Sequence, residues 1–140
     1  MKLLIVGCGR VGSAIAERMA LDGHDVSVVD EDAEARQRLP EDWNGRFFHG
    51  HGLDTDVLEY AGIEQADSVV VATDGDNTNI VIAQVAQRRY KAPCVVTRVL
   101  DPGRAAFYAS QGLQTVCATS TTVEFTTQAI CASPGRGASE

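Results

Sequence analysis

The chain has 140 residues, 44% of them hydrophobic and 22% charged, with a formal net charge of -7. This length fits one domain with a real core, and the acidic balance opposes binding to a nucleic-acid backbone, so any nucleotide must be held by local geometry rather than by a basic field. The apolar run at residues 3–6 is too short for a secretion signal, and no later segment approaches the ~20 apolar residues of a membrane span. A role at a membrane is therefore expected to need a partner that lies in it.

Taken in chain order, the first expected strand is residues 3–6, followed by a helix over 11–21 with Val11, Ile15, Ala16 and Met19 on one face. A second strand at 26–29 leads into a short helix at 33–39, stopped by Pro40. A short strand at 46–48 precedes a helix at 54–61 with Val57, Leu58 and Ala61 inward and Gly62 as its stop. The β-branched run at 68–72 is the fourth strand, and residues 78–90 form a helix with Ile80, Ile82, Ala83 and Ala86 apolar. A fifth strand at 94–98, a helix at 102–110 ended by Gly112, and a short sixth strand at 115–117 follow. Thr121 and Glu124 fit a capping box for a last helix running to about Cys131, and residues 133–140 read as a flexible tail. Continuous β-branched runs suit strands covered on both faces, and strand–helix alternation implies right-handed crossovers. The expected fold class is therefore α/β, a doubly wound Rossmann fold with a six-stranded parallel sheet over residues 1–132. Cys8, Cys94, Cys117 and Cys131 form no Cys-x-x-Cys pair and no zinc-like spacing, and are expected to be free, buried thiols.

The chemistry is concentrated in one turn. Gly7-Cys8-Gly9-Arg10-Val11-Gly12 is Gly-x-Gly-x-x-Gly between a strand and a helix. The first glycine permits the tight turn, the second lets the backbone approach a pyrophosphate, and the third lets the helix pack closely on the sheet. Unpaired N–H groups at the helix start then point at phosphate, aided by the helix dipole. Asp30 ends the second strand, where a carboxylate can accept the hydroxyls of an adenosine ribose and would repel a 2′-phosphate. Glu31 and Asp32 extend the acidic stretch as helix-start charges. Thr73 and Asp74 end the fourth strand and can close the pocket, with Asp76 or Asn77 as candidate helix caps. Arg98 ends the fifth strand, either facing phosphate or paired with Asp101. His49-Gly50-His51-Gly52 lacks a clearly placed third metal ligand and reads as a glycine-flanked loop under the adenine, with Gly52 and Leu53 as candidate contacts. No metal ligand set is expected.

The glycine turn, Val28-Val29-Asp30, Gly50-His51-Gly52, Ala66-Asp67 and the Thr-Asp-x-Asp-x-x-Asn stretch from Thr73 to Asn79 together resemble the TrkA-N domain, the nucleotide-binding half of the RCK (KTN) module. The resemblance covers about residues 1–130. It implies a cytoplasmic regulatory subunit, peripheral to the inner face of the cell membrane, that binds NAD(H) or ATP/ADP and gates a potassium transporter or channel. Such domains pair into homodimers and build tetrameric or octameric rings. By position the resemblance implies ligand contacts at residues 7–11, Asp30, Thr73, Asp74 and Arg98, with Arg10 at the place where some relatives set an arginine against phosphate. Where many relatives have Asp-Ala-Thr-Asp after Gly50, this chain has His-Gly-Leu-Asp.

An oxidoreductase needs a proton donor near the nicotinamide. Tyr60, Tyr90 and Tyr108 each lack a lysine four residues on, and the histidines form no general-acid arrangement. A nucleotide-sensing module is therefore expected rather than an enzyme; the alternative is the cofactor half of an NAD-dependent oxidoreductase. A dimer interface is expected through Phe107, Tyr108 and residues 123–130.

Overall fold

A computed structural model of the protein describes residues 1–137. Six strands, β1 (Lys2–Val6), β2 (Asp25–Asp30), β3 (Arg46–His49), β4 (Ser68–Val71), β5 (Cys94–Arg98) and β6 (Gln114–Val116), alternate with five helices, α1 (Arg10–Leu21), α2 (Thr55–Tyr60), α3 (Asp76–Arg88), α4 (Pro102–Ser110) and α5 (Ala118–Ala132). The strands form one parallel sheet in the order β3-β2-β1-β4-β5-β6. The Rossmann-type α/β fold expected from strand–helix alternation is the one observed. The direction in which successive strands are added to the sheet reverses between β1 and β4, and a crevice opens beyond the carboxyl ends of strands at such a point.

Alternate residues of each strand feed two cores. Leu3, Ile5, Val26 and Val28 pack with Ala16 of α1, with Ala35 and Leu39 around a 3-10 turn (Ala33–Arg38), and with Trp43. Leu4, Val6, Val69 and Val71 pack with Leu58 of α2 and with Ile80, Ile82, Ala83 and Ala86 of α3. Trp43 is locked in place by its indole N–H, which donates to Ala16 O at 3.2 Å, and by Arg36 stacked over the ring.

The structure corrects several expectations. Val11 does not join the inward face of α1, which is lined by Gly12 and Ala16; one residue before Gly12, it lies about 100° round the helix from that face and is exposed. The segment at 33–39 is a 3-10 turn capped by Asp32, whose carboxylate accepts Glu34 N–H at 3.0 Å. Thr121 and Glu124 do not cap α5. That helix starts a turn earlier, at Ala118, with Cys117 Sγ accepting Ser120 N–H at 3.4 Å. Neither Asp76 nor Asn77 is the cap of α3: Gly75 holds that position, and Asp76 lies in the first turn. Only Cys8 of the four cysteines is buried; Cys94 and Cys117 are half-buried and Cys131 is exposed. β4 and β5 are not covered on both faces. Val69, Val71, Val95 and Thr97 are buried, whereas Val70 and Val96 are half-buried. The cause is α5, which has no buried residue and does not fold back over its own sheet. After α5 the chain makes a bend at Ser133 and a turn at 135–137, and the last three residues of the stretch expected to be a tail, 138–140, lie outside the described residues.

Candidate functional site

The crevice between the carboxyl ends of β1 and β4 holds a cleft of about 320 Å³, at the lower end of the range that admits a small ligand. The glycine turn forms one side. Gly7 has φ +106°, and an added Cβ would lie 2.6 Å from Ala72 O, so the chain leaves β1 along a path open only to glycine. A Cβ on Gly12 would meet Gly7 O at 1.8 Å, which shows how closely α1 sits behind the turn. Gly9 lines the cleft with open space where a side chain would stand. The first main-chain bond of α1 runs from Ser13 N–H to Gly9 O at 2.9 Å, so the amides of residues 10–12 precede it and lie at the positive end of the helix.

Asp30 sits beside this turn. Its Oδ2 accepts Cys8 N–H at 2.7 Å and its Oδ1 accepts Asp32 N–H at 2.8 Å. Each oxygen keeps a second lone pair for a ligand hydroxyl. The neighbouring Cys8 thiol is pushed up to about 11, first by burial and then by the Asp30 charge, and it donates to Ala35 O. It is a packing group, not a thiolate nucleophile.

On the far side lie Thr73, Asp74, Gly75 and Thr78, where β4 turns into α3. Asn79, almost wholly buried, organises this end. Its Oδ1 accepts from the Thr73 N–H at 3.0 Å and from the Thr73 hydroxyl, and its Nδ2 donates to Thr73 O and Arg98 O. Asp76 braces the same region: its carboxylate accepts Leu100 N–H at 2.7 Å and Asp101 N–H at 3.0 Å.

Seven of the expected residues line the cleft: Gly7, Gly9, Asp30, Glu31, Gly52, Thr73 and Asp74. Cys8 reaches the site through its N–H to Asp30, and Gly12 through its packing under Gly7. Arg10, Val11, Leu53 and Arg98 do not line it. Arg10 is exposed at the first position of α1. Arg98 lies one strand further on. Its Nε is buried without a partner among the described residues, and it is not paired with Asp101, which caps α4 by accepting Arg104 N–H at 2.8 Å. Sequence reasoning missed Arg38 and gave Asn79 no role. Arg38 lines the cleft and donates Nη1 to Cys8 O at 3.1 Å across 30 residues of chain, a contact no local pattern announces. His49 and His51 both turn toward Glu31: His49 Nε2 lies 2.9 Å from Glu31 O, and His51 Nε2 3.3 Å from Glu31 Oε2.

The described residues contain no group of three metal-binding side chains and no helix long and apolar enough to cross a membrane.

Comparison with known proteins agrees with the geometry. Residues 3–119 match the TrkA-N domain. The Trk system potassium uptake protein TrkA of Streptomyces coelicolor is 42% identical over 116 residues, which cover 83% of this chain and 52% of that protein. The chain thus spans about half the length of that curated relative. Among solved structures, the TrkA-N domain of the Escherichia coli inner membrane protein ybaL superposes with a TM-score of 0.81 at 18% identity, covering 91% of this chain and 94% of that one. The AMP-bound Kef C-terminal domain of Shewanella denitrificans gives 0.74 at 23% identity, covering 94% and 80%. At these identities the two structures speak for the fold alone. The family match spans most of the chain and includes the glycine turn, Asp30 and the Thr73–Asn79 stretch: the protein belongs to the TrkA-N domain family.

Proposed function

We propose that this domain binds an adenine nucleotide, NAD(H) or ATP/ADP, in the switch-point cleft and acts as the sensing part of a regulatory subunit of a potassium transporter or channel. One observation carries the reading: the Asp30 carboxylate is held 2.7 Å from Cys8 N–H, directly beside the amides that open α1. A diphosphate on those amides places its ribose against Asp30. Gly7, Gly9 and the α1 amides are assigned to the phosphates, Asp30 to the ribose, and Thr73 and Asp74 to the far side of the ligand. Arg10 and Arg98 remain candidates only for the outer phosphates of a longer ligand, since neither lines the cleft. The S. coelicolor relative bears a potassium-uptake name, and a neighbour in fold was solved with AMP; both support the assignment.

The role is binding without turnover. Nucleotides that engage the β4 end to different extents favour different arrangements of paired domains, by no more than their difference in affinity for the two states. Pairing is assigned to α5 and Phe107, whose apolar side chains are exposed. The resulting homodimer, extended to a tetrameric or octameric ring, would meet the membrane subunit from the cytoplasmic side.

Titration calorimetry with ADP, ATP, NADH and NADPH tests the site. ADP or NADH is expected to bind, and Asp30→Ala to weaken either about tenfold or more, the value of one hydrogen bond to a charged group. Absence of binding by all four nucleotides at millimolar concentration rejects the reading.

A further inference from the structure

We propose that His49 makes nucleotide binding proton-linked: its imidazole takes up a proton as the ligand enters, so the cleft binds more tightly as the pH falls from about 8 to about 6. This rests on the nucleotide reading above and adds the regulation of that same site.

The cleft is poorly matched in charge to its ligand. Four carboxylates, those of Asp30, Glu31, Asp32 and Asp74, line it against one guanidinium, that of Arg38. The amides that open α1 contribute roughly half a positive charge, less than a diphosphate among these carboxylates requires. A group that gains positive charge when the anion arrives relieves the mismatch, and histidine is the side chain suited to do so near neutral pH.

Two histidines stand at the acidic end of the cleft, and their hydrogen bonds set them apart. His49 is the last residue of β3 and lies opposite Asp30 in the sheet register. Its Nε2 is 2.9 Å from Glu31 O. A carbonyl only accepts, so Nε2 carries the hydrogen in the neutral ring. Among the described residues no hydrogen bond engages Nδ1, and the residue is exposed. A proton added at Nδ1 therefore breaks nothing and strengthens the bond to Glu31 O. His51 differs. Its Nδ1 accepts Leu53 N–H at 3.1 Å, and its Nε2 lies 3.3 Å from Glu31 Oε2. A second proton on that ring has to displace the Leu53 bond.

The charged groups on the elements around His49 are Asp30 and Glu31 at the end of β2, Asp32 and Arg38 at the two ends of the 3-10 turn, and His51 and Asp54 beyond β3, with Asp74 across the cleft. The ligand adds negative charge to this set. Added negative charge favours the imidazolium, so binding takes up a proton, and lower pH favours binding.

Calorimetry with ADP near pH 6, 7 and 8 on the parent, His49→Gln and His51→Gln tests this. The titration of ADP itself is common to all three and cancels in the comparison. Glutamine at 49 keeps an N–H for Glu31 O and removes the titration, and melting curves check the fold. Between the two pH limits the parent should gain about threefold in ADP affinity over His49→Gln, the value of one partly screened charge near a diphosphate. His51→Gln should gain as the parent does. In the parent, the His49 ring resonances followed by NMR should titrate about half a pH unit higher with ADP bound, the same threefold read directly. Parallel pH profiles in the parent and His49→Gln, a gain lost in His51→Gln instead, or a His49 titration unmoved by ADP overturns the proposal. Absence of ADP binding at every pH is a different result: it rejects the nucleotide reading itself, and the proton linkage with it.

Discussion

Asn79 donates its Nδ2 to the main-chain oxygen of Arg98 at 3.0 Å, and the same amide holds Thr73 through its N–H, its hydroxyl and its carbonyl. One buried side chain from α3 thus ties the end of β4 to the end of β5 on the far side of the cleft. Sheet hydrogen bonding alone would leave these strand ends free, because their carboxyl-terminal groups have no further ladder partners. Asn79→Leu removes all four bonds and leaves buried polar groups unpaired, so a stability loss of about 3 kcal/mol is expected, read by urea unfolding. ADP affinity should fall as well, because Thr73 loses its anchor. A variant as stable as the parent would show that the strand ends are held by packing instead.

Two glycines in the first turn separate folding from binding. Gly12→Ala puts a methyl group 1.8 Å from Gly7 O, so α1 must move off the sheet. The expected cost is more than about 3 kcal/mol, in the class of severe overpacking. Gly9→Ala meets nothing within 4 Å and should cost no more than about 1 kcal/mol. Its methyl group instead enters the space a diphosphate needs, so ADP affinity should fall at least about tenfold. Melting curves and calorimetry on the two variants give this contrast; a Gly9→Ala protein that binds ADP normally would remove the phosphate from that position.

The Cys8 thiol supplies a pH dependence at the alkaline end. Burial, reinforced by the Asp30 charge, raises it from about 9 to about 11. The folded state therefore favours the protonated thiol. This contribution is fully present below pH 9 and is lost as pH rises toward 11, for a total of about 2–3 kcal/mol at 1.36 kcal/mol per pH unit. Cys8→Ala should flatten the fall in unfolding free energy between these pH values, measured against the parent by denaturant titration. An equally steep fall in Cys8→Ala would assign the alkaline loss to other groups.

α5 carries Val123, Phe125 and Ile130 into solvent, and none of its residues is buried. If this helix is the pairing element, Phe125→Ser with Ile130→Ser should leave the unfolding free energy of the single domain within about 0.5 kcal/mol and shift sedimentation equilibrium toward monomer. Unchanged self-association would place the interface elsewhere, with the half-exposed face of β4 and β5 as the next surface to alter.

Much of the site was legible because its signals are local. A tight exit from β1 at positive φ demands glycine, close approach of α1 to the sheet demands another, and a carboxylate at the end of β2 follows within one βαβ unit. Strand and helix periodicities depend on near neighbours, so all six strands and the buried face of α3 could be placed within a residue or two. The start of α5 was misplaced for the same reason: Thr121 and Glu124 satisfy a local capping pattern, but the chain is already helical there because Cys117, fixed at the end of β6, caps it first.

Sequence alone determined the sheet, the glycine turn and the acid beside it, since each is encoded by residues a few positions apart. Tertiary structure decided the rest: Arg38 over the cleft, both histidines on Glu31, Asn79 between two strand ends, Arg98 outside the cleft lining, and α5 standing away from its own sheet. Those arrangements depend on which strands lie side by side and how far each connection reaches. Packing of the whole chain sets both, and neither is recorded in the spacing of any one motif.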